Sequence, residues 1–507
     1  MPTVVPLPQD PDVDQLRRQA RELSRAARAG DATARARVAR WAPEHADGDV
    51  PLHVAQLVLA RTHGFAGWPP LVRHLRTVAR WSWVPPADPA DSADPADPAA
   101  ASPADEFLAL ACLRYDGDDP VRRERAAALL AARPEIAGAT VHTAAATADV
   151  DALRRLLAAD PSRAGLDGGP HRWPPLMYLA YARHDPRIDV DAVLTAATLL
   201  LDHGADPNAG RLWHGLPSPF TVLTGVFGEG EGGPQAQPRH PAERPLATLL
   251  LERGADPDDA QTLYNRMFGA DDSHLVLLFA HGLGRRGDGG VWRSRLGHTL
   301  PESARLLADQ LDWAVLHGLT ARVELLLDND VAVRGGRWIG TTPVAEVAAR
   351  LGHPAIVDLL VARGAARPVL DPAAALLAAA LAGDGTAVAA APDTVRAEAA
   401  ALRPGALVMA AAGGRRRAVE LLLDLGVPVD VRGRGDGPGH DGWNTALHEA
   451  ALRADHDMVA LLLARGADPT VRDARFDATP AGWAAHAGHS ALAAELTARE
   501  ERHIPGT

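Results

Sequence analysis

The stretch ALHEAALRADHDMVALLLARGADP, residues 446–469, sets His448 and Glu449 side by side on a predicted helix, with His456 further along. A zinc-hydrolase helix of the His-Glu-x-x-His type needs two histidines at i and i+4, so that they share one face and the glutamate can act as a base. Leu452 occupies the i+4 position here. His448 and His456 lie more than two helical turns apart, too far to share one ion. His486 and His489 in HAGH come closer in sequence, but they sit across a Gly-His turn, and His240 stands alone in a Gly/Pro-rich stretch. No metal and no cofactor are expected.

Other chemistries find no better footing. The chain has no lysine, so it cannot complete a phosphate-binding GxxxxGK[ST] loop, and no GxSxG elbow occurs. GRGDGPGHDG (433–442) is glycine-rich but follows no strand and opens no nucleotide-binding unit; it reads as a long hairpin insertion. Cys112, in the apolar helix expected over FLALACLRY, reads as a buried small hydrophobe and not a nucleophile. No catalytic residue is assigned, and the protein is not expected to be an enzyme.

The elements around His448 explain it better. LLLDHGADPN (199–208), LLLERGADPD (249–258) and LLLARGADPT (461–470) are near copies. Weaker relatives are LLFAHGLG (277–284), LLLDNDVAV (325–333), LLVARGAA (359–366) and LLLDLGVPV (421–429). Upstream lies a second pattern, best seen in NTALHEAALRAD (444–455), TTPVAEVAARLGH (341–353) and ATPAGWAAHAGH (478–489), and more weakly in ATVHTAAATADV (139–150). The unit is a short Ala-rich helix, a turn, a Leu-rich helix, a glycine and a polar loop, with a period of about 33 residues. Threonine at the helix start caps free N–H groups, and glycine after the Leu-rich helix accepts the left-handed conformation that ends it. One such unit cannot bury its apolar face alone, so stability comes from stacking.

This pattern resembles the ankyrin repeat. Thr445, Leu447 and His448 carry its T-P-L-H element, with Ala446 in place of proline, and Thr479 and Pro480 repeat it. Gly352–His353 and Gly488–His489 match the Gly-His turn, and the GADP pieces after Leu-rich helices place Gly204, Gly254 and Gly466. The resemblance implies that His448 braces the helix start and loop, and that loop tips, or fingers, and first helices line a partner-binding surface. The expected fold is all-α: an ankyrin-repeat solenoid of about ten helix-turn-helix repeats over residues 105–501. Insertions are expected around 209–310 and 432–442.

Residues 12–83 read as a separate small helical module. Val13, Leu16, Ala20, Leu23 and Ala27 fall at helical spacing, Gly30 ends that helix, and Asp31 caps the next. A third helix ends at Gly64, and a fourth follows Trp68. Ala55, Gln56, Leu57, Val58, Ala60, Arg61, Gly64, Phe65 and Trp68 resemble a segment found at the head of many bacterial ankyrin-repeat proteins. Phe65 and Trp68 read as its core. Residues 84–104 are Pro/Ala/Asp-rich without large apolar side chains and read as a disordered linker.

Composition narrows the partners. The 507-residue chain carries a formal net charge of −12, which repels a phosphate backbone and disfavours nucleic acid. One cysteine precludes an intrachain disulfide and fits a reducing compartment. No run of about 18 apolar residues occurs, and residues 1–15 have no signal-peptide pattern, so a cytoplasmic location with no membrane partner is expected. The abundance of Ala and Arg suggests a bacterial source with a GC-rich genome.

The tryptophans are more telling. Trp313 and Trp483 fall on core positions of the repeats. Trp173, Trp213, Trp338 and Trp443 each come just before a first helix, where a finger projects, and Trp292 lies in an insertion. Arg172, Arg211 and Arg337 stand beside three of them. Tryptophan and arginine are the types most enriched in binding hot spots. These eight residues are therefore the candidate contact set for an unidentified protein partner, against the alternative that each ring folds back over its own finger. The expected function is a non-catalytic protein-interaction scaffold. Two other readings stand beside it: an enzyme or toxin-associated component with a site in 209–310, and an autoregulated adaptor whose N-terminal module docks on the solenoid.

Overall fold

The computed structural model describes residues 4–8, 11–86, 102–285, 290–435 and 442–503. It contains 29 α-helices among those residues and little sheet. Residues 87–101 of the expected linker, and 436–441 of the expected insertion, lie outside the described residues. Contacts divide the chain into two compact units, 1–303 and 304–507, so the boundary falls well beyond the 84–104 stretch.

The first unit begins with four helices whose ends are written locally. Asp12 caps Val13–Arg28, Asp31 caps Ala32–Trp41, and Leu52–Thr62 and Trp68–Trp81 follow. Phe65 is buried with Leu16, Ala60, Leu71 and Leu75, and Trp68 packs against them. The chain then forms a short strand, Ser82–Trp83, which pairs in parallel with Gly210–Trp213. That second strand pairs antiparallel with Pro219–Thr221, giving a three-stranded sheet. The N-terminal helices are thus tied by main-chain bonds to a finger of the same unit.

Helix pairs stack through the rest of this unit. Thr140 closes a capping box on Val141–Ala146, as the threonine in ATVH predicts. The 209–310 region, expected to be irregular, contains two further pairs: Val222–Phe227 with Glu243–Glu252, and Ala260–Arg266 with Ser273–Ala280. Their caps are Thr221, with Thr224 where a histidine is usual, and Asp259. Cys112 lies just past the helix Pro103–Ala111, not within it, and is buried.

In the second unit the inner helices are Ser303–His317, Val344–Arg350, Pro372–Ala382, Ala406–Ala412, Ala446–Leu452 and Pro480–His486. Each is backed by a Leu- or Val-bearing outer helix. One continuous apolar core runs from Ala373 to Leu496 through Leu407, Leu447, Leu462 and Ala484. Gly466 ends an outer helix at φ +88°. Gly352 has a second constraint besides its positive φ: a Cβ there would lie 2.5 Å from that of Leu381 in the next repeat.

Candidate binding groove

Thr445 and His448 show how a repeat start is built. The imidazole Nδ1 accepts the Thr445 N–H at 3.2 Å and lies 2.8 Å from its hydroxyl. The other ring nitrogen, Nε2, faces the Ala478 carbonyl of the following repeat at 3.1 Å. A neutral ring protonated on Nε2 satisfies both. Burial lowers its proton affinity, and the Ala478 carbonyl only partly offsets that. His489 reaches back in the same way, to the Leu452 carbonyl at 3.1 Å. These histidines brace the stack; among the described residues no cluster of three His, Cys, Asp or Glu could hold a metal ion.

The eight sequence candidates divide between the units. In the first unit Trp173 is wholly buried, stacked on His171 at 4.2 Å and packed on Tyr181 at 4.7 Å and Trp83 at 4.8 Å. Arg211 is buried too, paired with Asp167 at 2.6 Å and lying over the Trp81 ring. Trp292 is buried against Trp81, its indole N–H given to the Asn208 carbonyl at 3.1 Å. Trp213 is half-buried on the strand beside Trp83. Arg172 is exposed, with its carbonyl accepting from Arg211. Trp173, Arg211 and Trp292 therefore leave the contact set. Their faces are used by the Trp81–Trp83 segment, which the sequence reading placed on a separate module.

Three described carboxylates of 209–310 are likewise engaged. Asp259 accepts from the Thr221 and Thr224 hydroxyls and the Thr262 N–H, Asp258 from the Gly284 N–H, and Asp256 from the Val291 N–H. They hold turns and caps together.

The second unit treats its fingers differently. Trp338 is 39 % exposed and meets Trp313 edge-on at 5.7 Å; Trp313 in turn stacks on His317 at 3.8 Å. Two buried carboxylates on the inner helix hold this finger out. Asp312 accepts the N–H groups of Gly336, Trp338 and Ile339 at 2.8–2.9 Å, and Asp309 accepts the Arg337 N–H and guanidinium.

Trp443 is half-buried, between Trp483 at 5.2 Å and Phe476 at 5.7 Å, with the Arg475 guanidinium over its ring. Phe476 is 68 % exposed, although it is a large apolar side chain. Asp473 fixes its finger by accepting the Arg475, Phe476 and Ala478 N–H groups and the Trp483 indole N–H. Burial acts to raise the Asp473 carboxyl, but the Phe476 N–H, the Trp483 indole and the other two N–H groups outweigh it and hold it below the ordinary carboxylate range. Trp443, Trp483, Phe476, Leu452, Glu449 and His317 line a groove of about 720 Å³. That volume is in the range of ligand pockets.

Sequence reasoning placed Trp443 and Trp338 at fingers but missed Phe476 and the Trp313–His317 pair. A signal was present for Phe476: like Trp443, it is a bulky ring just before a threonine that starts an inner helix.

Stacked pairs of capped helices joined by projecting fingers define the class, and comparison with known families agrees. An ankyrin-repeat family model matches residues 376–473 as three copies, so the chain carries ankyrin repeats, and the groove residues Ala412, Trp443, Glu449 and Leu452 lie within the matched stretch. Repeats of this family generally mediate binding between proteins and are typically non-catalytic. No curated protein matches the chain. Among the described residues no helix is long and apolar enough to cross a membrane.

Proposed function

We propose that the protein is a non-catalytic interaction scaffold whose second unit takes a segment of a protein partner into the groove beneath the Trp443 and Phe476 fingers. The observation that carries this reading is the exposure of Phe476 beside Trp443 over an apolar cavity of about 720 Å³. An exposed ring held by a carboxylate-pinned finger loses little freedom on binding, so more of the burial energy goes into affinity. Aromatic anchors of this kind dominate interface energetics.

The test is affinity capture with the full chain, wild type beside a Trp443→Ala, Phe476→Ala double variant whose fold is checked by circular dichroism. A stoichiometric protein bound by wild type and lost with the variant supports the groove. A partner retained by both places the contact elsewhere and removes this reading.

A further inference from the structure

A second cavity, of about 100 Å³, adjoins the groove, with His317, Ala412 and Gly435 lining both. Its chemistry is different. Arg403, Arg415, His353 and His317 converge on it beside Met409 and Leu381, and no carboxylate lines it.

Neither arginine is within ion-pair distance of a carboxylate among the described residues; carbonyls are their partners. Arg415 gives its guanidinium to the carbonyls of Leu351, Gly352 and Leu381, at the ends of two inner helices. Arg403 makes one long bond, to the Arg350 carbonyl at 3.4 Å, and its Nε is buried without a partner. Burial, then Arg415 and Arg350, lower the proton affinity of Arg403. Burial, then Arg415, His317 and Arg403, push His353 down to about 4. A neutral His353 adds no charge at pH 7 and can still donate an N–H. Carbonyl dipoles compensate the two guanidinium groups only partly, whereas a carboxylate accepts charge-assisted and often bidentate bonds from arginine. In the groove itself Glu449 is the one lining carboxylate among the described residues, and it already accepts from the Asn444 amide at 2.5 Å.

We propose that this recess receives the Asp or Glu carboxylate of an extended acidic peptide, with Arg403 as its main new partner, while an apolar side chain of the same peptide lies against Trp443. This rests on the groove reading above and adds the chemistry of the partner. The charge complementarity is local: a basic recess inside a chain of net charge −12, whose long-range field opposes an acidic peptide as it does any anion, so the preference comes from the recess itself.

The probe is a displayed library of random unphosphorylated octapeptides selected on the full chain, followed by fluorescence polarisation with the best peptide. The expected result is enrichment of Asp or Glu beside an apolar residue. Replacing that acid by its amide weakens binding at least tenfold on wild type and has little effect on Arg403→Gln. Peptides that need Trp443 but show no acidic preference, or prefer Lys or Arg, overturn the proposal and leave the groove intact. A peptide that binds only after its acid is replaced by phosphoserine overturns the carboxylate assignment. Failure to select any peptide overturns both readings. If Arg403→Gln does not fold, the acid-to-amide change in the peptide decides the question alone.

Discussion

The two units place tryptophans at the same kind of position and put them to opposite use. In the first, Trp173, Trp292 and Arg211 close around Trp81 and Trp83, and a short parallel strand seals the finger from outside. In the second, Trp338, Trp443 and Phe476 have no such cover among the described residues, and buried aspartates pin the Trp338 and Phe476 fingers in place. A finger position therefore does not decide whether a ring is core or contact. What decides it is whether another segment of the chain reaches that finger.

The comparison is broken most directly by truncating one ring in each unit. Trp173→Ala removes a fully buried ring and should cost about 3–5 kcal/mol, read as a lower urea midpoint. Trp338→Ala should change stability by less than about 1 kcal/mol. Equal losses would mean that the exposed ring is as much part of the core as the buried one.

Acid sharpens the contrast. Burial pushes His171 down to about 3, with Arg122 next in effect. Burial also takes His184 down to about 4, and takes His240 well below its ordinary value, with Arg183 and the neighbouring His184 adding to it. In the second unit burial takes His353 down to about 4 as well. A buried neutral imidazole stays unprotonated when folded, while the unfolded chain takes up a proton below about 6.5, so acid favours unfolding. The stabilisation is complete above about 6.5 and falls by at most about 1.4 kcal/mol per pH unit per histidine down to the folded value. Asp259, raised by burial, opposes this in the first unit. Hydrogen exchange between pH 7 and 4.5, corrected for intrinsic rates, should show residues 102–285 losing protection before 376–473. The reverse order would mean that the first unit's histidines are not the acid-sensitive core.

His448→Ala should cost about 1–3 kcal/mol, because it unpairs the Thr445 N–H and the Ala478 carbonyl between two repeats. The loss should appear as faster exchange around residues 445–480. The smallest effect is expected for Arg475→Ala. Its contact over Trp443 is solvent-exposed and contributes about 0.5–1 kcal/mol, so the urea midpoint should barely move while Trp443 fluorescence shifts.

Much of the fold is legible in local text. Asp31, Thr140, Thr445 and Thr479 cap helices where their spacing predicts, since a cap needs only a side-chain oxygen and N–H groups two or three residues on. The pairs within 209–310 were harder to read. Thr224 stands in the histidine position, and Asp259 takes the place of a capping threonine, so the recurring letters are missing although the bonds are present.

Which rings stay open to solvent was legible only in part. Trp443 and Trp338 stand out by residue type and position, but so do Trp173 and Trp292, whose faces the structure fills from inside. The basic recess left no motif, because Arg403, Arg415, His353 and His317 come from four separate stretches.

By itself, then, the amino-acid order determined the capped helices, the glycine-terminated outer helices and the need for stacking, because those depend on neighbours within one turn or one repeat. Tertiary structure alone decided which rings face solvent and which cations lack a carboxylate. Exposure and charge compensation depend on segments far apart in sequence, such as Trp83 on Trp173 or Arg415 on the Leu351 carbonyl, and no local pattern records who arrives there.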